Sequence, residues 1–369
     1  MGRLIDIDAR EDAELAQGFG NLIQSDARGY LYAAHINNSG NLEIHWSYNN
    51  GIDWYLDTTF SEGVAIEQPF LCRDWNSGID NDIYVSYSYG VASPYGFKVY
   101  RRDAISGTWT LILSDTSVYS DNGKLKICLC FNELTTGRLH AFWVVRRTST
   151  NEKKIINKYS DNKGTTWTNG MDYSLSGTAG AQYYGAEIDR NGTSIYFTLW
   201  SNYNYFYWTF KFNNSGLNIS YFNTAWGEVP ETYYGSNTLI TRNERLWHAH
   251  FAYSSYYSQY QLQVFYTALS AQNWISSIYE VGVSILGGYS IRKGTLFLSS
   301  DGNNNVYLYY VKASSNPAAP QNNKAFFRKL PFGGTWGSEQ VFTSHFRINI
   351  EKHNKWTSDK LNYVYFDTV

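Results

Sequence analysis

The chain has 369 residues and a mass of 42.4 kDa, with 43% hydrophobic, 18% aromatic and only 17% charged residues. This composition excludes a disordered chain, a coiled coil and a polyelectrolyte tail. With 30 Lys and Arg against 32 Asp and Glu the net charge is −2, so no bulk basic field points to nucleic acid, and no apolar run is long enough to span a bilayer.

From the N-terminus, residues 1–12 lack the apolar stretch of a secretory leader. The expected location is extracellular or virion-associated without a recognisable signal peptide, with the cytoplasm as the other option. Residues 4–8 (LeuIleAspIleAsp) alternate like a strand. Residues 22–26 then form a first predicted strand, called A, which a Gly-bearing turn joins to a second, called B, at 31–35 (LeuTyrAlaAlaHis). The B pattern recurs at 83–87, 139–143, 195–199, 246–250, 306–310 and 362–366. Seven copies at roughly 50–60-residue spacing fall in the range of propeller blades. Further A strands precede their B strands at 186–190, 239–243 and 296–300.

In most repeats a third strand follows the B strand and ends in a polar turn with Trp; the fourth, at 213–216, lacks the Trp, and the last repeat stops after two strands. The looser copy is Ser47 to Trp54. The fuller copy, Ser160-Asp161-Asn162-Lys163-Gly164-Thr165-Thr166-Trp167, reads as a complete match to Ser-x-Asp-x-Gly-x-Thr-Trp. In this turn an Asp is expected to cap the backbone, Gly to supply positive φ, and Trp to pack between sheets. On these residues the chain resembles the sialidase-type Asp-box (BNR repeat) β-propeller superfamily.

The resemblance implies an all-β fold of four-stranded antiparallel blades in a single domain, residues 1–369. Seven blades are expected, the ring closed by the N-terminal strand joining the C-terminal blade; six blades, the sialidase form, is the alternative. The boxes are expected on the face away from any ligand site.

The opposite face collects loops rich in Tyr. Tyr183, Tyr184, Tyr233, Tyr234 and Tyr289 come from loops between blades, and Tyr95, Tyr203, Tyr256 and Tyr257 from loops between B and C strands. Stiff aromatic rings beside Asn, Ser and Gly suit sugar stacking and hydrogen bonding. The leading expectation is a non-catalytic glycan-binding or adhesion propeller of a phage or virus surface, with a glycan or polysaccharide ligand, other assembly proteins as further partners, and no cofactor. The alternative is a carbohydrate-active enzyme, an exo-sialidase-like hydrolase or a polysaccharide lyase; the third is a structural scaffold. For a sialidase-like site the residues facing the right way are Arg292, Arg347 and Arg146, with Glu231 and Tyr234. For a lyase, His35, His248 and His250 are candidates, although their strands favour packing. No metal is expected. Cys72, Cys128 and Cys130 read as buried free thiols, because no CxxC or paired-His spacing accompanies them.

Overall fold

The structure is a computed structural model. It describes residues 22–26, 28–74, 82–120, 125–131, 137–150, 152–175, 183–191, 194–201, 206–212, 219–222, 236–241, 245–254, 259–268, 275–280, 289–301, 303–314, 324–343, 348–350 and 363–365. The expected closing strand near the N-terminus lies outside them.

Among the described residues the fold is all-β, apart from one 3-10 turn at Thr148–Thr150. Two compact units form, one from Gly20–Tyr203 with Tyr207–Phe222, the other from Asn223–Val369. The first unit holds four meanders of four strands. They are β1 (Ile23–Ser25) to β4 (Tyr55–Phe60), with β2 at Leu31–Ile36 and β3 at Leu42–Ser47; β5 (Ile66–Arg73), β6 (Ile83–Tyr89), β7 (Tyr95–Arg102) and β8 (Trp109–Val118); β9 (Cys128–Phe131), β10 (Leu139–Arg147), β11 (Glu152–Ser160) and β12 (Thr168–Ser174); and β13 (Tyr183–Asn191), β14 (Ser194–Ser201), β15 (Phe206–Phe212) and β16 (Ile219–Phe222). The second unit holds two more, β17 (Ser236–Thr241), β18 (Arg245–Ser254), β19 (Gln259–Ala268) and β20 (Ile275–Glu280), then β21 (Tyr289–Ser300), β22 (Val306–Ser314), β23 (Lys324–Leu330) and β24 (Gln340–Thr343). A two-stranded sheet, β25 (Ile348–Ile350) and β26 (Tyr363–Tyr365), follows. Each of the seven B-strand copies is the second strand of its sheet.

Burial falls from the inner to the outer strands. All six residues from Ile83 to Ser88 in β6 are buried, whereas β8 and β12 are largely exposed or intermediate. A strand buried without alternation has neighbours on both faces, and the contacts within the first unit show them. Phe60 of β4 packs on Tyr100 and Trp109 of the second sheet, at ring separations of 4.4 and 5.5 Å. Phe97 of β7 meets Trp143 of β10 at 5.1 Å, and Phe142 meets Phe197 and Phe212 of the fourth sheet at 5.4 and 4.9 Å. Polar ties run between the same sheets. Arg102 binds Asp57 through Nε and Nη2 at 2.7 and 3.0 Å, and Trp109 Nε1 donates to the same carboxylate. The three cysteines are buried thiols outside any disulfide. In the second unit Leu239, Trp247, Val264, Leu298, Leu308 and Tyr310 form a separate core.

The two Ser-to-Trp turns share one hydrogen-bond pattern. Ser47 Oγ and Ser160 Oγ accept from the Gly51 and Gly164 amides at 2.9 and 2.8 Å. Each serine donates to an asparagine Oδ1, Asn49 or Asn162, and that oxygen accepts the amide four residues on, at Asp53 or Thr166. This corrects the expected Asp: the capping position holds Asn in both turns. Asp161 stands one residue early and pairs with Arg138. A neutral Asn Oδ1 accepts these donors with the same geometry, so the turn survives without the charge. Gly51 and Gly164 take φ of 78° and 89°. Trp167 Nε1 donates to the Ile112 carbonyl of the preceding sheet at 2.7 Å, which ties the turn to its neighbour.

Two predictions follow from this packing. A Cβ on Gly164 would lie 2.5 Å from Ile112 Cδ1 at a positive φ. Gly164→Ala should therefore destabilise by about 1–3 kcal/mol, read from the chemical denaturation midpoint. The second concerns His140, buried between Phe142 and Tyr159 with Asn157 Nδ2 3.4 Å from its Nδ1. Burial, and then the field of Arg138, push His140 down to about 3, so the folded chain keeps it neutral. The unfolded imidazole takes a proton near pH 6.5, so stability from this group is complete above about 6.5 and is lost as pH falls towards 3. The slope should reach about 1.4 kcal/mol per pH unit and should flatten in His140→Asn, measured by denaturation midpoints at successive pH values.

Candidate functional site

Meander topology sorts the loops into two ends. The β1–β2 and β3–β4 turns, and their counterparts in later sheets, emerge at one end, which carries the Ser-to-Trp turns. The β2–β3 type of turn and the crossings between sheets emerge at the other, here called the crossover end. Loops on a rigid scaffold are where sites are expected.

At the crossover end of the third sheet, two paired strands bring cations together. Arg146 and Arg147 are the last residues of β10, and Lys153 lies directly opposite Arg146 on β11. The Arg146 amide donates to the Tyr119 carbonyl at 2.8 Å, and the Arg147 guanidinium stands 3.6 Å from the Tyr119 ring centroid. Lys126, just ahead of β9, holds its ammonium 5.6 Å from the Phe70 ring. Lys126 and Lys153 are only 6% and 8% exposed. Burial, and then the neighbouring Arg146, push the Lys153 amine below its usual range. Cations in a weakly screened setting act more strongly on an anion than they would in water.

A Tyr–Glu pair also lies at this end, though not the expected one. Glu62, between β4 and β5, accepts from Tyr87 Oη at 2.7 Å and from Lys98 Nζ at 2.9 and 2.7 Å. Burial and the Glu62 hydrogen bond raise the Tyr87 hydroxyl far above its ordinary value, the reverse of an activated nucleophile. Tyr87 is fully buried against Phe60, so this trio ties the first two sheets together.

Of the enzyme candidates, Arg146 is the one whose side chain is described. Arg292 lies in β21 and its side chain is outside the described residues, as are Arg347, Glu231 and Tyr234 altogether. Among the tyrosines, Tyr203, Tyr233, Tyr256 and Tyr257 lie outside the described residues. Tyr183 and Tyr184 begin β13 and Tyr289 begins β21, with side chains not described. Tyr95 is corrected: as the first residue of β7 it is 8% exposed and belongs to the core cluster, so its ring is not a surface platform. His248 is buried in β18, in keeping with packing, and the His250 side chain is outside the described residues. Sequence reasoning missed Lys126, Lys153 and Tyr119. For Lys153 a signal existed, because it shares the inward phase of β11 with Ile155 and Asn157.

No protein-family model and no curated protein matches the sequence. Solved structures do. An α-L-arabinofuranosidase from Fusarium graminearum, solved with an iminosugar inhibitor, is similar with a TM-score of 0.54 at 11% identity, over 90% of this chain and 98% of that one. An α-L-arabinanase from Penicillium chrysogenum, solved with arabinobiose, is similar at the same TM-score with 12% identity over the same shares. The polysaccharide lyase Uly1 is similar with a TM-score of 0.52 and 11% identity, over 93% of this chain and 84% of that one. At such identities the likeness shows the fold, that of the β-propeller glycan-active proteins.

These likenesses correct the leading expectation of a non-catalytic adhesion protein, since a glycosidase, an arabinanase and a lyase are among the similar structures. The physical reason is that Tyr-rich loops report aromatic contact area. They say nothing of whether reacting groups stand beside it.

The Arg146–Lys153 contact is open to direct measurement. Arg146→Gln should move the Lys153 titration back up towards that of an ordinary lysine, read by NMR of its labelled side chain. An unmoved titration would show that burial alone sets it.

Proposed function

We propose that the chain is a carbohydrate-active enzyme that cleaves a glycan whose sugars carry a carboxylate. The observation that carries the reading is the pairing of Arg146 with Lys153 across β10 and β11 at the crossover end of the third sheet. A guanidinium and an ammonium directly opposite each other across two strands suit the two oxygens of a carboxylate. In a uronate polymer, neutralising that carboxylate eases loss of the neighbouring ring proton in a lyase reaction. In a sialoside, the same clamp orients the sugar for hydrolysis. Support for an enzyme comes from the glycosidases and the lyase that share the fold over most of their length. Support for kinship with Asp-box propellers comes from the two Ser–Asn–Gly turns at the opposite end.

The test is a panel of purified glycans: a uronate polymer, a sialoside and neutral arabinan. Ultraviolet absorbance of an unsaturated uronate reports elimination, and free sugar reports hydrolysis. Cleavage of one of the two acidic substrates is expected. Arg146→Ala should lower its kcat/KM roughly a hundredfold, about 2.7 kcal/mol, with the fold unchanged by circular dichroism. Cleavage of arabinan alone, indifferent to Arg146, would overturn the acidic-sugar reading. No cleavage of any substrate would overturn the enzyme.

A further inference from the structure

We propose that His35, Glu43 and His45 form a site for one divalent transition-metal ion of the zinc class on the first sheet. The strands place the three side chains together. In the β2–β3 pairing His35 lies opposite Glu43 and Ala33 opposite His45. Opposed residues of an antiparallel pair point to the same face, and so do residues two apart. All three side chains therefore rise from one face near the β2–β3 turn.

The distances are those a small ion bridges. Glu43 Oε2 lies 3.4 Å from His35 Nε2 and 3.1 Å from His45 Nε2. One donor atom from each residue lies within 4.8 Å of the others. Tetrahedral zinc with bonds of about 2.0–2.2 Å sets its ligand atoms roughly 3.3–3.6 Å apart. The two imidazole rings are tilted at 43° with centroids 5.1 Å apart.

A supporting layer orients the carboxylate. Asn37 Nδ2 donates to Glu43 Oε1 at 2.7 Å, which leaves Oε2 turned towards the imidazoles. Asn37 is itself held by the turn, its Oδ1 accepting from the Ser39 and Asn41 amides at 3.0 and 3.1 Å. Metal-binding carboxylates are commonly fixed by such outer hydrogen bonds. Two nitrogens and one carboxylate oxygen suit zinc or cobalt, whereas calcium and magnesium take oxygen ligands. His45 and Glu43 keep 14% and 21% of their side-chain surface, an entry path, while His35 is fully covered.

The test is titration of the chelator-treated full chain with Co2+, read by its visible ligand-field absorption. One ion per chain is expected, displaced by Zn2+. His45→Ala and Glu43→Gln should abolish that absorption, and Asn37→Ala should weaken binding about 10–100-fold. Glu43→Gln is close to isosteric, and circular dichroism checks that each variant folds. Absence of the absorption in the unaltered chain, or equal uptake by the folded His45→Ala and Glu43→Gln variants, would overturn the site. The outcome is independent of the glycan panel.

Discussion

Everything in the first unit depends on covering both faces of each sheet. A four-stranded meander whose second strand is apolar on both sides cannot stand in water alone. The burial of β6, every residue from Ile83 to Ser88, is intelligible only because sheets lie against it on either side. Aromatic side chains do most of this work. Phe60, Phe97, Trp143 and Phe142 bridge successive sheets, and each removes a large apolar area that no side chain of its own sheet could cover. The high aromatic content is thus a requirement of the architecture before it is a sign of ligand recognition.

Polar groups divide according to the end of the sheet. At the turn end, Ser, Asn and Gly satisfy the backbone locally, and the same set of bonds recurs at 47–54 and 160–167. Charges there are spent on structure, as where Asp57 collects both Arg102 and Trp109. At the crossover end the residues come from facing strands of one hairpin, so register decides which of them meet. The cations around Arg146 and the His35–Glu43–His45 trio are both of this kind.

The Glu62–Tyr87–Lys98 trio shows how residue types can mislead without their surroundings. A Tyr beside a Glu is the pair a sialidase-like mechanism needs, yet here burial raises the hydroxyl and the ring packs between sheets. Arg146 and Lys153 stand opposite each other at the crossover end, Arg146 half-buried and Lys153 buried.

The sequence by itself determined the repeat, the identity of all seven second strands and the turn positions of Ser, Gly and Trp. These are local signals: a hydrophobic period of two, β-branched and aromatic enrichment, and turn residues at fixed offsets. It also determined that the cysteines are buried thiols, because isolated apolar spacing offers them no partner. The Asp expected at the capping position stands one residue early, at 161, and Asn162 holds that position and makes the bonds. The tertiary structure alone decided that Tyr95 is a core ring and that Lys153 faces Arg146. It also decided that Glu43 turns one oxygen to two histidines while Asn37 holds the other. Each of these rests on register between strands, which shifts every side chain to the opposite face if it slips by one residue and which no window of sequence specifies.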